Sequence, residues 1–388
     1  MKPLVPLFVS DRKGTVLKAG GRAESLECKF TRDVLRCFIV HCPEELKIPD
    51  QLDWDRLAHV VLHYNLGPIF AYVLNSDSVP AGLRNSWNEW RMRCLVSNIR
   101  SLKTACKLFS TLEKAGISAV GLRGLTLSHF SYPDPGLRPM RDIDILISPS
   151  DRFQIVDSMR SQGFIPTQIL RTQFVYHIDG TIFELHWSFL NIKRYRSSVD
   201  SEAFVKSRRK IPTPEGSVYC LSKEKELLGL VAHAFVHHEL DRILQLVDIA
   251  FYMVRPDIDW KYIISWCRQA HMTNIFLFTL TFVNYFFNLH LERRLEVFRK
   301  SLPQGTSKTF ESYIVRLFDR DTIFDHLRRK KNLFFVAEQP IVKLKQALRL
   351  IAPDEVRDLL QLIAKGEVSR IGSCENGKKV VELEAPGT

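Results

Sequence analysis

The sequence predicts an α+β fold: a small mixed β-sheet core flanked by N- and C-terminal helical regions. Three observations carry this. Apolar residues recur at helical spacing from Thr31 to about residue 115. Between residues 116 and 198 come short runs rich in β-branched residues, separated by glycine-bearing turns. From about residue 200 the helical spacing returns, and charged helices continue to about residue 367. With 388 residues, 45% hydrophobic and 25% charged, the chain has ample length for a core.

The domain reading follows this texture. Residues 1–30 are expected to be a poorly ordered N-terminus, 31–115 a helical region, 116–198 an α/β core, 199–370 a helical C-terminal domain and 371–388 a disordered tail. Within the first helical region, helices are expected over 31–42, 53–64, 67–75 and, as one long element, 82–115. Asp53 can cap the second of these through its carboxylate, and Gly116 suits the left-handed residue that closes the fourth. "ISAVGLRG" (117–124) reads as a short strand into a glycine-bounded turn, and "LTLSHFSY" as the start of a helix. Ile143–Ile147 is an apolar strand, followed by a helix with Ser148 or Ser150 as its cap and Gly163 at its end. Phe174–Ile178 and Thr181–Trp187 flank Asp179-Gly180, a strong hairpin signal.

Composition narrows the function. No apolar run reaches the ~18 residues of a membrane span; the aromatic-rich 274–291 stretch is broken by Asn284, Asn288 and His290 and reads as a buried helix. The N-terminus lacks a signal-peptide apolar region, so a soluble, cytoplasmic protein is expected. Eight cysteines include no CxxC pair, and reduced thiols are the default; Cys106, Cys220 and Cys267 read as core. The net charge of +12 is clustered at 193–198, 206–210 and 328–331, which favours polyanion contact. No RNA-binding module signature accompanies it. The segment 341–352 reads as a basic amphipathic helix facing the core.

The chemistry gathers around "LRPMRDIDILISPSD" (137–151). Asp142 and Asp144 are separated by one residue, so on a strand both carboxylates emerge from one face, roughly 7 Å apart. Like charges that close repel, and ionised groups beside a core are costly. The second strand of the hairpin carries Glu184; laid beside the aspartate strand, it would bring three carboxylates together. Hard divalent cations such as Mg²⁺ or Mn²⁺ take carboxylates plus substrate phosphates. Upstream, Arg123 and Gly124 precede a helix, where backbone N–H groups, close approach at a glycine and a guanidinium would suit a phosphate. His186 shares Glu184's face, where it would touch nucleotide or metal or make a structural hydrogen bond. Trp187 reads as packing and Arg141 as solvated. His233 and His237 stand at i, i+4 without the glutamate of HExxH, so a polar helix face beside the cleft is the better reading than zinc. Asp248 lies in an apolar helix and needs a partner: an arginine or lysine of the cleft, or an ordinary interhelical hydrogen bond.

"GLRGLTL…YPDPGLRPMRDIDILI…GF…FELHWSF" resembles the DNA polymerase beta-type nucleotidyltransferase superfamily, and more closely a bacterial family of largely uncharacterised nucleotidyltransferases within it. The clear match covers about 117–190 and weaker similarity extends into the helical flanks. The superfamily's usual Gly-Ser is here Arg123-Gly124, and the closer family's usual lysine is an arginine. The resemblance implies metal binding by Asp142 and Asp144, with Glu184 a further ligand or the base, and phosphate contact by Arg138. It implies an NTP substrate and in-line transfer of a nucleoside monophosphate to an acceptor: a small molecule, peptide, protein or RNA. The alternatives are a nucleotide-binding scaffold without turnover and a basic nucleic-acid-binding protein.

Overall fold

A computed structural model of the protein describes residues 25–42, 46–74, 77–190, 199–238 and 240–299. The expected tail, the basic segments 193–198 and 328–331 and the amphipathic segment 341–352 lie outside the described residues.

Four helices come first: α1 (Leu26–Val40), α2 (Trp54–His63), α3 (Gly67–Val73) and α4 (Ala81–Lys114). Asp53 caps α2 by accepting from the N–H groups of Asp55 and Arg56. The 34 residues of α4 end in a Schellman motif: the N–H of Gly116 reaches Glu113 O and that of Ile117 reaches Leu112 O, with Gly116 at φ 72°.

The sheet begins with β1 (Ala119–Gly121), followed by α5 (Gly124–Phe130), β2 (Ile143–Ile147) and α6 (Gln154–Ser161). Neither Ser148 nor Ser150 caps α6. A 3₁₀ turn over Pro149–Arg152 intervenes, and the Ser148 hydroxyl bonds Ser150 and Glu202 instead. The strands β3 (Gln168–Leu170), β4 (Gln173–Ile178) and β5 (Thr181–His186) follow. Asp179 and Gly180 take φ 49° and 76°, the doubly left-handed turn that matches strand twist.

Then come α7 (Ser201–Lys206), β6 (Arg209–Thr213), β7 (Gly216–Cys220), α8 (Lys223–Val236), α9 (Ile243–Met253), α10 (Trp260–Gln269), α11 (Thr273–Phe287) and α12 (Glu292–Arg299). The β6–β7 hairpin departs from the uninterrupted helical texture expected after residue 200. Its signal is faint because β6 is a short, largely exposed edge strand that tolerates Pro212 and hides inside a basic run.

The seven strands form one mixed sheet in the order β3-β4-β5-β2-β1-β7-β6. β2 lies parallel to β5 and antiparallel to β1. Alternation assigns the faces. Ile143, Ile145 and Ile147 of β2, with Phe183 and Leu185 of β5, join a core built with Leu102, Phe109 and Leu112 of α4 and Ile155 and Met159 of α6. Asp144, Glu184 and His186 therefore point to the opposite face. The flanking helices meet each other as well: α1 packs on α9 and α11, and Arg32 donates to Phe286 O. The aromatic-rich stretch is α11, mostly buried, and no helix among the described residues is long and apolar enough to cross a membrane.

A buried ion pair ties the segment ahead of β2 to α9. Arg138 donates Nε and Nη2 to the two carboxylate oxygens of Asp248 at 2.9 and 2.8 Å, and Tyr132 adds a 2.8 Å hydrogen bond. Asp248 is fully buried and Arg138 is 9% exposed. Asp248→Asn should leave the guanidinium uncompensated and cost about 3–5 kcal/mol, read as a lower urea midpoint. The double variant Arg138→Met, Asp248→Leu should lose less than this single change.

Candidate active site

The parallel pairing of β2 with β5 decides the geometry. It sets Asp144 opposite Glu184 and Leu146 opposite His186, so two carboxylates and an imidazole share one sheet face. Both oxygens of Asp144 are engaged. Oδ2 accepts from Arg123 Nε at 3.0 Å, while Oδ1 accepts from Arg123 Nη2 at 2.7 Å and from His186 Nε2 at 2.9 Å. Glu184 accepts from Gln173 at 2.7 Å and has His186 Nε2 at 3.5 Å.

Environment pushes the two aspartates apart. Burial raises Asp142, and the charges of Asp144 and Glu184 raise it further. Burial also pushes Asp144 up, but the Arg123 guanidinium and His186 outweigh it and hold this carboxyl well below the usual range. His186 is raised: burial works against its charge, and hydrogen bonds to Asp144 and Glu184 overcome that.

These residues line a cleft of about 660 Å³ that also receives Gly124, Arg138, Asp142, His233, His237 and His238. The atoms that could hold a cation are closest in Asp144, Glu184 and His186, one from each lying within 4.8 Å of the others. Asp142 stands outside this tight group because it precedes β2 and has no ladder partner to fix it. The donor set, two carboxylates and one imidazole, suits Mn²⁺ and, through its oxygens, Mg²⁺.

The turn between β1 and α5 is shaped by interactions the sequence did not reveal. Arg123 adopts φ 50° and ψ −106°, a left-handed conformation unusual outside glycine. Its N–H donates to the Glu226 carboxylate at 2.7 Å, so that donor faces α8 rather than the cleft. A Cβ on Gly124 would meet Met140 Sδ at 3.0 Å and Arg138 Nη1 at 3.2 Å, which explains the glycine. Arg138 thus anchors its fork on Asp248 and keeps Nη1 beside Gly124.

His233 accepts from Arg123 Nη1 through Nδ1 at 2.7 Å. Its proton therefore sits on Nε2, which donates to His238 Nε2 at 3.1 Å. Burial keeps these histidines neutral, reinforced by Arg123 at His233 and His237 and by Arg242 at His238: His233 is held well below its ordinary value, and His237 and His238 are held down to about 4. They line the cleft, but not as one helix face: α8 ends at Val236, so His233 is on the helix while His237 caps it and His238 lies beyond. Trp187 packs on Phe174 at 4.8 Å, Arg141 is exposed, and Cys106, Cys220 and Cys267 are core. Of the basic run 206–210, Lys206 pairs with Glu202 and Lys210 with Glu113.

Glu226 and Gln173 went unread, although each had a signal. Glu226 lies two helical turns before His233 on one face of α8. The Asp179-Gly180 turn fixes a register that pairs Gln173 with His186, diagonal to Glu184.

Residues 50–288 match the family model described as "Uncharacterised nucleotidyltransferase". No curated protein matches the sequence. Among solved structures, the antibiotic-resistance factor ANT(2'')-Ia in solution is similar over 52% of this chain and 96% of that one, at 14% identity and a TM-score of 0.28. The same protein in a crystal with adenylyl-2''-tobramycin gives 53% and 94%, 14% and 0.28. An antigenic nucleotidyltransferase-like protein from Paracoccidioides brasiliensis gives 50% and 92%, 16% and 0.35. Likeness this loose transfers no residue roles.

Glu226 gives a pH-dependent test of the turn. It is 2% exposed, and burial pushes its carboxyl up to about 8. A carboxyl raised on folding favours the folded state while protonated. Its contribution is complete below the unfolded value of about 4.3 and is lost as pH climbs through about 8. The stability of wild type relative to Glu226→Gln should therefore fall between about pH 5 and pH 8. Urea midpoints measured across that range for both proteins would show it; a constant difference would contradict it.

Proposed function

This chain belongs to that family of uncharacterised nucleotidyltransferases, and from that premise we propose a Mg²⁺- or Mn²⁺-dependent transfer of a nucleoside monophosphate from an NTP to an acceptor hydroxyl or phosphate. The observation that carries the reading is the β2–β5 pairing, which sets Asp144 beside Glu184 at the floor of a cleft lined with arginine. Asp144 and Glu184 would hold the cation, with His186 within reach of the same point; Asp142, which lines the same cleft, would have to turn toward them to complete the expected trio. When bound, the cation would offset phosphate charge and orient the attacking and leaving oxygens.

The chain's own groups do the rest. Arg123, Gly124, Arg138 and His186 receive the triphosphate, Arg138 through the Nη1 that its pairing with Asp248 leaves beside Gly124. The acceptor oxygen attacks the α-phosphorus, a new P–O bond forms, the α–β bridging bond breaks and pyrophosphate departs. The acceptor's proton passes to Glu184 acting as general base. Rate enhancement would come from alignment and charge stabilisation. The acceptor is a small molecule, peptide, protein or RNA end. The polyanion contact expected from the basic clusters would help recruit the last of these.

Nucleotide binding without turnover is the second reading, favoured by the Arg123 guanidinium sitting on Asp144. Incubation with α-labelled NTPs, Mg²⁺ or Mn²⁺ and cell lysate separates the two. Wild type should release pyrophosphate and label an acceptor, and Asp142→Ala with Asp144→Ala should do neither. Equal, background-level release from both proteins with all four NTPs would rule out turnover.

A further inference from the structure

Arg123 is held from three sides at once. Its N–H meets Glu226, its Nη1 meets His233 Nδ1, and its Nε and Nη2 grip both oxygens of Asp144. Its left-handed φ of 50° belongs to a backbone region that persists only where surroundings over-determine it. The whole arrangement aims the guanidinium at β2.

A carboxylate has a limited set of lone pairs. On Asp144, Oδ1 already serves two donors and Oδ2 one. That leaves one lone-pair site, on Oδ2, where a divalent cation ligated at about 2.0–2.2 Å would sit hard against Arg123 Nε. It also carries charge of the same sign as the guanidinium beside it. Cation and Arg123 therefore compete for Asp144. A phosphate offers a guanidinium the same two-oxygen fork that a carboxylate does. The neighbouring place for it lies beside Gly124 and Arg138 Nη1, on the same cleft wall.

We propose that Arg123 is an exchangeable stand-in for the cation: it neutralises Asp144 until a triphosphate draws the guanidinium away, so that metal and nucleotide load together. This rests on the metal-dependent reading above. His233 is a positioning residue in this scheme, steadying the guanidinium from behind. The exchange leaves opposite charge at both ends: Asp144 trades a singly charged guanidinium for a doubly charged cation, and Arg123 trades a carboxylate for a more highly charged phosphate group. Because coupling is reciprocal, nucleotide must tighten metal binding as much as metal tightens nucleotide binding.

Full-length wild type, Arg123→Gln and His233→Leu would be titrated with Mn²⁺ alone, free Mn²⁺ being read by electron paramagnetic resonance. Arg123→Gln should bind Mn²⁺ roughly tenfold more tightly than wild type, the scale of a lost charge-assisted fork. His233→Leu should move the same way by less. A triphosphate analogue with a methylene α–β bridge, titrated in EDTA, should bind Arg123→Gln roughly tenfold more weakly. Equal Mn²⁺ affinities in all three proteins would overturn the exchange while leaving the metal site standing. Tighter Mn²⁺ binding with unchanged analogue binding would also overturn it, leaving Arg123 a fixed counter-charge. No Mn²⁺ uptake by any of the three would overturn the exchange and the metal-dependent reading together.

Discussion

Two carboxylates facing each other across parallel strands must be neutralised, and most of the cleft is arranged around that requirement. Asp144 and Glu184 are brought side by side by the β2–β5 ladder, a backbone arrangement indifferent to their charge. The compensation comes from side chains reaching in from elsewhere: Arg123 from the β1–α5 turn, His186 from two residues along β5, and Gln173 from β4. Remove that compensation and the sheet would carry an unscreened acidic pair next to a hydrocarbon core, where desolvation is costly.

The supports are graded with distance from the acids. Arg123 is steadied by His233, which in turn donates to His238, and by Glu226 on its backbone. Arg138 is steadied by Asp248, which also receives Tyr132. Arg123 and Arg138 are thus each given a direction from behind, and the groups that give it, Glu226, His233 and Asp248, sit on α8 or α9. The C-terminal helices therefore supply the orientation, and the sheet supplies the acids.

Much of this was written locally in the chain. Strand alternation and hairpin register are short-range rules, so the β4–β5 hairpin and the face of Glu184 were legible, whereas the parallel pairing of β2 with β5 entered only as a condition. That Asp248 has a partner could be anticipated because a buried carboxylate demands one, an arginine or lysine being one of two readings. Other features were illegible. Whether Asp142 joins the ladder depends on where pairing starts, which sequence fixes poorly. The turning of Arg123 onto Asp144 depends on Glu226 and His233, more than a hundred residues away in sequence. The β6–β7 hairpin was hidden by charge and proline, features that read as solvated helix or loop until the neighbouring strand is in place.

The segment from Ser131 to Asp142 has little regular structure beyond a 3₁₀ turn at Pro135–Leu137. It is nonetheless fastened along its length. Asn98 of α4 holds the carbonyls of Pro135 and Arg138 at 2.6 and 2.9 Å, and Arg91 pairs with Asp134. Gly136 lies so close to α4 that a Cβ would meet Arg91 O at 2.8 Å. An insertion here would not bulge harmlessly into solvent. It would shift the phase of the aspartates against the strand that faces them, so the length of this irregular stretch is as tightly specified as that of the helix it lies on.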